Sequence, residues 1–184
     1  RDFEGHTEEV IGLIPELLKR HVSALVLFTS WRQLNAVISG LPKKLAEGLL
    51  VQGEGSKQAL LQEHRQRIDD GQSSYLFGVA SFSEGLDLPG EYCRHVVIVK
   101  LPFSVPDDPV DQAIAEWAEA QGRNAFYEIS VPDASLKLVQ ACGRLIRSEN
   151  DYGTISMLDK RIVTQRYGRA LIESLPPFRL DLPA

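Results

Sequence analysis

The stretch Ala24–Phe28, ALVLF, is apolar at every position. A strand with one wet face alternates apolar and polar residues, whereas a run this short and continuous marks a strand buried on both sides, as in a parallel sheet. Leu49–Gln52, Tyr75–Val79, His95–Lys100 (HVVIVK) and Gly153–Leu158 have the same character, and HVVIVK is the most β-branched. Between these runs the pattern changes to helical spacing. Residues Thr7–Arg20 carry Val10, Ile11, Ile14, Leu17 and Leu18 at that spacing, with Pro15 expected to kink or break the helix. Further helices are expected over Arg32–Ser39, Lys57–Asp70, Val110–Gln121, from Pro132 or Asp133 onward, and Ile162–Ser174. Pro102, Pro106 and Pro109 read as a connector, and Arg123–Val131 as an irregular excursion. Strands alternating with helices predict an α/β fold: a mostly parallel sheet with helices on both faces.

The 184 residues suit one domain, with 101–131 as an insertion or small subdomain. No apolar run approaches the roughly 20 residues of a membrane-spanning helix, so no membrane partner is expected. The absence of a signal sequence and the presence of only two cysteines, Cys93 and Cys142, point to a reduced, cytoplasmic setting without a disulfide framework. A net charge of -5 argues against coating nucleic acid by bulk charge, so any such contact must be local. The chain does not open on Met and is expected to be a fragment.

In open parallel sheets ligands bind beyond the carboxyl ends of the strands. Three polar loops fall there: Thr29-Ser30-Trp31, Gln52-Gly53-Glu54-Gly55, and Ser81 to Gly90. Their small residues leave backbone amides accessible, and the following helices point their positive ends the same way. Ordinary helix capping would use the same residues. Near the C-terminus lies QACGRLIR, Gln140–Arg147. At about 100° per residue a helix sets Gln140, Arg144 and Arg147 on one face, opposite Leu138, Val139, Cys142, Leu145 and Ile146. No carboxylate occurs between Asp133 and Glu149, so both arginines read as unpaired. That suits either a bidentate grip on phosphate or a solvated basic face.

The order FTSW, QGEGS, VASFSEGLDLPG, then QACGRLIRS followed by DYG and LDKR, resembles the second motor domain of superfamily-2 DNA helicases of the XPD and DinG type. The likeness runs from about Leu25 to Phe178. It implies a RecA-like three-layer α/β/α domain, the C-terminal motor of a larger ATP-dependent helicase that moves 5′ to 3′ on single-stranded DNA. Arg144 and Arg147 look like the family's motif VI arginines, which reach the ATP γ-phosphate bound on the first motor domain of the same protein. Gln140, Glu84, Gly85 and Asp87 are implied to line the ATP cleft. Phe28, Thr29, Ser30, Gln52, Gly53 and Ser81 are implied on the DNA side. Asp159, Lys160 and Arg161 resemble the DKR ending, read here as a structural ion pair.

No GxxxxGK[ST] loop and no DEAH-like magnesium box occurs in the sequence. ATP and Mg²⁺ are therefore expected on the preceding half, as is the four-cysteine iron–sulfur cluster of many family members. The chain alone is expected to bind no metal and to be inactive. The competing reading is a non-catalytic RecA-like module that binds nucleic acid or protein through the same loops.

Overall fold

The structure is a computed structural model and describes residues 2–104 and 108–182. It forms two compact units, Arg1–Lys100 with Ala141–Asp159, and Leu101–Gln140 with Lys160–Ala184.

The first unit is built on five parallel strands: β1 (Ser23–Phe28), β2 (Leu50–Val51), β3 (Ser74–Val79), β4 (His95–Ile98) and β5 (Thr154–Met157), in the order β2-β3-β1-β4-β5. β1 is buried at every position, as its unbroken apolar run requires, and sits at the centre between β3 and β4. Helices α1 (Phe3–Leu18), α2 (Trp31–Gly40), α3 (Lys43–Glu47) and α4 (Lys57–Asp69) belong to this unit. Ala24, Val26, Phe28, Phe77 and Val97 alternate onto one sheet face, where they join Val10, Ile14, Leu17 and Leu18 of α1 and Leu34 and Val37 of α2.

α1 begins four residues earlier than Thr7, because Asp2 Oδ1 accepts the Gly5 amide at 2.9 Å and caps it there. Pro15 lies inside the helix and does not end it. The buried contacts of Val10, Ile14, Leu17 and Leu18 span the proline and outweigh its lost backbone bond. α3 was not expected; Pro42 precedes it, in a helix-opening position.

The second unit holds α5 (Pro109–Ala120), most of α6 (Val131–Cys142), α7 (Arg161–Thr164) and α8 (Arg166–Glu173). Pro109 opens α5 at its first turn instead of prolonging the connector, with the Asp108 carboxylate accepting the Val110 amide at 2.8 Å. Pro106 lies outside the described residues. Residues 123–131 are not irregular throughout: Phe126–Ser130 forms a wide π-type turn leading into α6. Its Phe126 ring, with Phe103 and Tyr167, makes an aromatic triangle with centroids 5.2, 5.3 and 5.4 Å apart. The expected terminal helix is two pieces, split where Gln165 is extended at φ -104 and ψ 148. No described helix is long and apolar enough to cross a membrane.

Candidate functional site

The strand order places the loops after β2, β3 and β1 side by side along the carboxyl edge of the sheet. Phe28 ends β1 and is 1% exposed, its ring 5.8 Å from that of Phe77, so its side chain belongs to the core and serves to place its neighbours. Thr29 is exposed; Ser30 caps α2 by accepting the Gln33 amide at 3.2 Å. Gln52 extends the sheet by one side chain: its amide donates to the Phe77 carbonyl and its Oε1 accepts the Val79 amide, each at 2.9 Å. Gly53 stands at φ +93, a conformation that favours glycine, with the Trp31 ring 3.9 Å from where a Cβ would project. Ser81 is exposed on the tight turn Ala80–Ser83. Of the residues implied on the DNA side, Thr29, Gly53 and Ser81 are open to solvent, as is the neighbouring Trp31, while Phe28 and Gln52 hold the edge in place.

The arginine stretch folds differently from a continuous helix. α6 ends at Cys142, and the amides of Arg144 and Leu145 bond back three residues to Ala141 and Cys142 at 3.2 and 3.0 Å, the tightened turn with which helices close. Asp151 then competes for the backbone. Its Oδ2 accepts the amides of Arg147 and Ser148 at 2.9 and 2.8 Å, which stabilises a turn over further helix. Those contacts, the Arg147 amide first, hold the Asp151 carboxyl below its usual range.

The turn nevertheless brings the two guanidiniums together. Arg144 Nη1 donates to the Leu86 carbonyl at 2.9 Å and Arg147 Nη1 to the same oxygen at 3.0 Å. Arg144 Nε is buried with no partner among the described residues. Nor is Arg147 unpaired: it meets Asp87 Oδ1 at 2.9 Å, a carboxylate delivered by the SEGLDLPG loop from 60 residues away. Local spacing could not show this pair, since only the fold brings the two segments into contact. Leu86 is buried and anchors the loop, and Gly85 turns it at φ +70. Glu84 is exposed and its carbonyl receives the Lys57 ammonium. Gln140 is exposed on α6 in the second unit, whereas Arg144 and Arg147 belong to the first.

The DYG string frames this turn. Beyond the Asp151 cap, Tyr152 lies under Arg94, whose guanidinium carbon is 3.8 Å from the ring centroid and whose Nη1 donates to the Tyr152 carbonyl at 2.9 Å. A Cβ on Gly153 would collide with the Arg94 carbonyl oxygen and lie 2.6 Å from Leu145 Cδ1. Of the DKR residues, Asp159 is buried and Arg161 lies over the Phe103 ring at 5.4 Å.

No group of three or more His, Cys, Asp or Glu poised for a metal occurs among the described residues. Burial pushes both cysteine thiols up to about 12, which keeps them protonated. A residue that the sequence patterns do not single out is Arg65 on α4, which donates to the Asp87 carbonyl. Its only signal was a polar helix face.

Comparison with known proteins agrees with the motif order. The helicase C-terminal domain family matches residues 14–178. The ATP-dependent DNA helicase DinG of Photobacterium profundum is 49% identical over 94% of this chain, which spans 25% of that protein. DinG of Escherichia coli K12 is 39% identical over 98% of this chain, again 25% of its length. Among solved structures, an XPD helicase superposes with a TM-score of 0.73 at 21% identity over 95% of this chain and 31% of its own. An apo XPD structure gives 0.68 at 22%, over 91% and 33%. These two likenesses establish the RecA-like α/β fold. The chain spans about a quarter of the length of the curated relatives it matches. With a family match over nearly all of its sequence, the chain belongs to the helicase C-terminal domain family, of the DinG-like kind.

Proposed function

We propose that this chain is the C-terminal motor domain of an ATP-dependent DNA helicase and supplies Arg144 and Arg147 to an ATP molecule held by the first motor domain of the same polypeptide. The observation that carries the reading is the convergence of both guanidiniums on one carbonyl, that of Leu86, at 2.9 and 3.0 Å. Two cations fixed to one point form a preorganised site for the charge that develops on a transferring phosphoryl group. Asp87 does not prevent this use. Its carboxylate is 69% exposed and the Arg147 side chain 35%, and ion pairs so wet are worth no more than about 1 kcal/mol. A charge-assisted, bidentate contact with phosphate exceeds that.

Mg²⁺, the phosphate-binding lysine and the magnesium-binding carboxylate come from the rest of the parent protein in this reading, as does any iron–sulfur cluster. Glu84, Gly85 and Asp87 connect the nucleotide side to the strand. Single-stranded DNA runs along the carboxyl edge at Thr29, Ser30, Gly53 and Ser81, with Phe28 and Gln52 setting their positions and Trp31 beside Gly53. The protein works in the cytoplasm and moves 5′ to 3′.

The test is DNA-stimulated ATP hydrolysis and unwinding of a 5′-tailed duplex by the full parent protein, wild type and Arg147→Ala, with thermal melts as controls. Loss of turnover by about 10³-fold at an unchanged melting temperature supports the reading. Turnover that survives Arg147→Ala, or Arg147-dependent hydrolysis by the isolated chain, refutes it.

A further inference from the structure

Asp87 touches a second cation. Arg65 Nη2 donates to the Asp87 carbonyl and lies 3.8 Å from its Oδ2, while Arg147 holds Oδ1 at 2.9 Å. The Arg65 guanidinium also lies 5.6 Å from the Tyr92 ring centroid, and its Nε is buried without a partner among the described residues. Around it, α4 grips the 86–92 loop at further points. His64 Nε2 donates to the Tyr92 carbonyl at 2.7 Å, and the Tyr92 hydroxyl donates to Asp69 Oδ1 at 2.7 Å. His64, Arg65 and Asp69 thus occupy one stretch of α4 and fix both the loop backbone and its carboxylate.

We infer that Arg65 is a positioning residue for Arg147, acting through Asp87. This rests on the proposal that Arg147 serves the ATP phosphate. Arg147 shares Asp87 with Arg65, so when Arg147 turns to phosphate the carboxylate keeps a counter-charge. Without Arg65, Asp87 has Arg147 as its only close cation among the described residues, and two effects follow. The carboxylate competes harder for Arg147, and the Leu86–Asp87 segment that aims both motif arginines loses its tie to α4. Both act on the placement of a charge in the transition state, not on nucleotide binding by the other domain.

The experiment uses the full parent protein and reads kcat and KM for ATP at saturating single-stranded DNA. Arg65→Gln is expected to lower kcat by about tenfold with KM changed less than about twofold, a misalignment-sized effect. Arg65→Lys, which keeps the charge but not the fork, recovers part of the loss. A double-mutant cycle separates positioning from general support: in an Arg147→Lys background, Arg65→Gln should cause a clearly smaller loss than it does in the wild type, since only the aim of Arg144 is left to disturb. Should Arg65→Gln melt early, Arg65→Lys carries the same cycle. An additive loss in that background, or an unchanged kcat, overturns the role of Arg65 while leaving Arg147 in place. Wild-type turnover by Arg147→Lys and Arg147→Ala together overturns the reading of Arg147 and this inference with it.

Discussion

Gly153→Ala tests the frame behind the arginines. Its backbone is not in the left-handed region, so alanine meets no torsional penalty there and the effect is steric. The added methyl would collide with the Arg94 carbonyl oxygen and sit 2.9 Å from its carbon and 2.6 Å from Leu145 Cδ1. A carbonyl cannot rotate away as a side-chain end can. It also accepts the Thr154 amide at 2.9 Å, the bond that opens the pairing of β4 with β5. Overpacking of this kind costs about 1–3 kcal/mol. A weakened buried backbone bond adds about 1 kcal/mol. The sum, about 2–4 kcal/mol, corresponds to a fall of roughly 5–15 °C in melting temperature for a chain of this size. Gly12→Ala is the control: it lies within α1 with nothing within 4 Å of the methyl it would gain, and should stabilise by about 0.5–1 kcal/mol. Thermal unfolding of both variants, with exchange of the Thr154 amide as the local readout, decides the matter. A Gly153→Ala protein that melts with wild type and protects Thr154 equally would refute the steric argument.

Three further outcomes are expected. His95 is buried, lies edge-on to His21 at 5.3 Å, and bonds Ser156 Oγ at 2.7 Å; burial first, then His21, lowers its pKa from 6.5 to about 4. The native chain therefore refuses a proton that the unfolded chain accepts, so stability is full above pH 6.5 and falls as pH drops toward 4, by up to about 3 kcal/mol. His95→Gln, which keeps a donor near Ser156, should flatten that part of a stability-versus-pH curve, and an unchanged slope contradicts the assignment. Asp151→Ala removes the acceptor for the Arg147 and Ser148 amides and should lower the melting temperature slightly, as loss of a cap does, with faster exchange of those two amides specifically. Cys93 and Cys142, buried with thiols pushed up to about 12, should resist alkylation at pH 8 until denaturant is added; rapid labelling of the native chain would contradict their burial.

The sheet was legible because burial on both sides writes itself into consecutive residues: ALVLF, YLFGV and HVVIVK became β1, β3 and β4 within a residue or two. The loops were legible because turns and caps demand small polar residues, and Ser30 and Ser56 do cap α2 and α4. Periodicity misled at Arg144 and Arg147. A helical wheel describes which face residues share if the helix continues, and it has no term for a carboxylate such as Asp151 that binds the amides needed to continue it. The pairing of Arg147 with Asp87, and the approach of Arg65 to the same carboxylate, depend on contacts between residues distant in sequence. Pro15 and Pro109 show the same limit from the other direction. A breaker in isolation was tolerated inside α1 by packing and served as the opening residue of α5.

In the proposed function Arg147 acts on the transition state of phosphoryl transfer. The direct measurement is the affinity of the full parent protein for MgADP and for MgADP with aluminium fluoride, a mimic of the transferring phosphoryl group, in wild type and Arg147→Ala. Arg147→Ala should bind MgADP as wild type does and lose about 10³-fold in affinity for the mimic. Equal weakening of both ligands, or of neither, would contradict it.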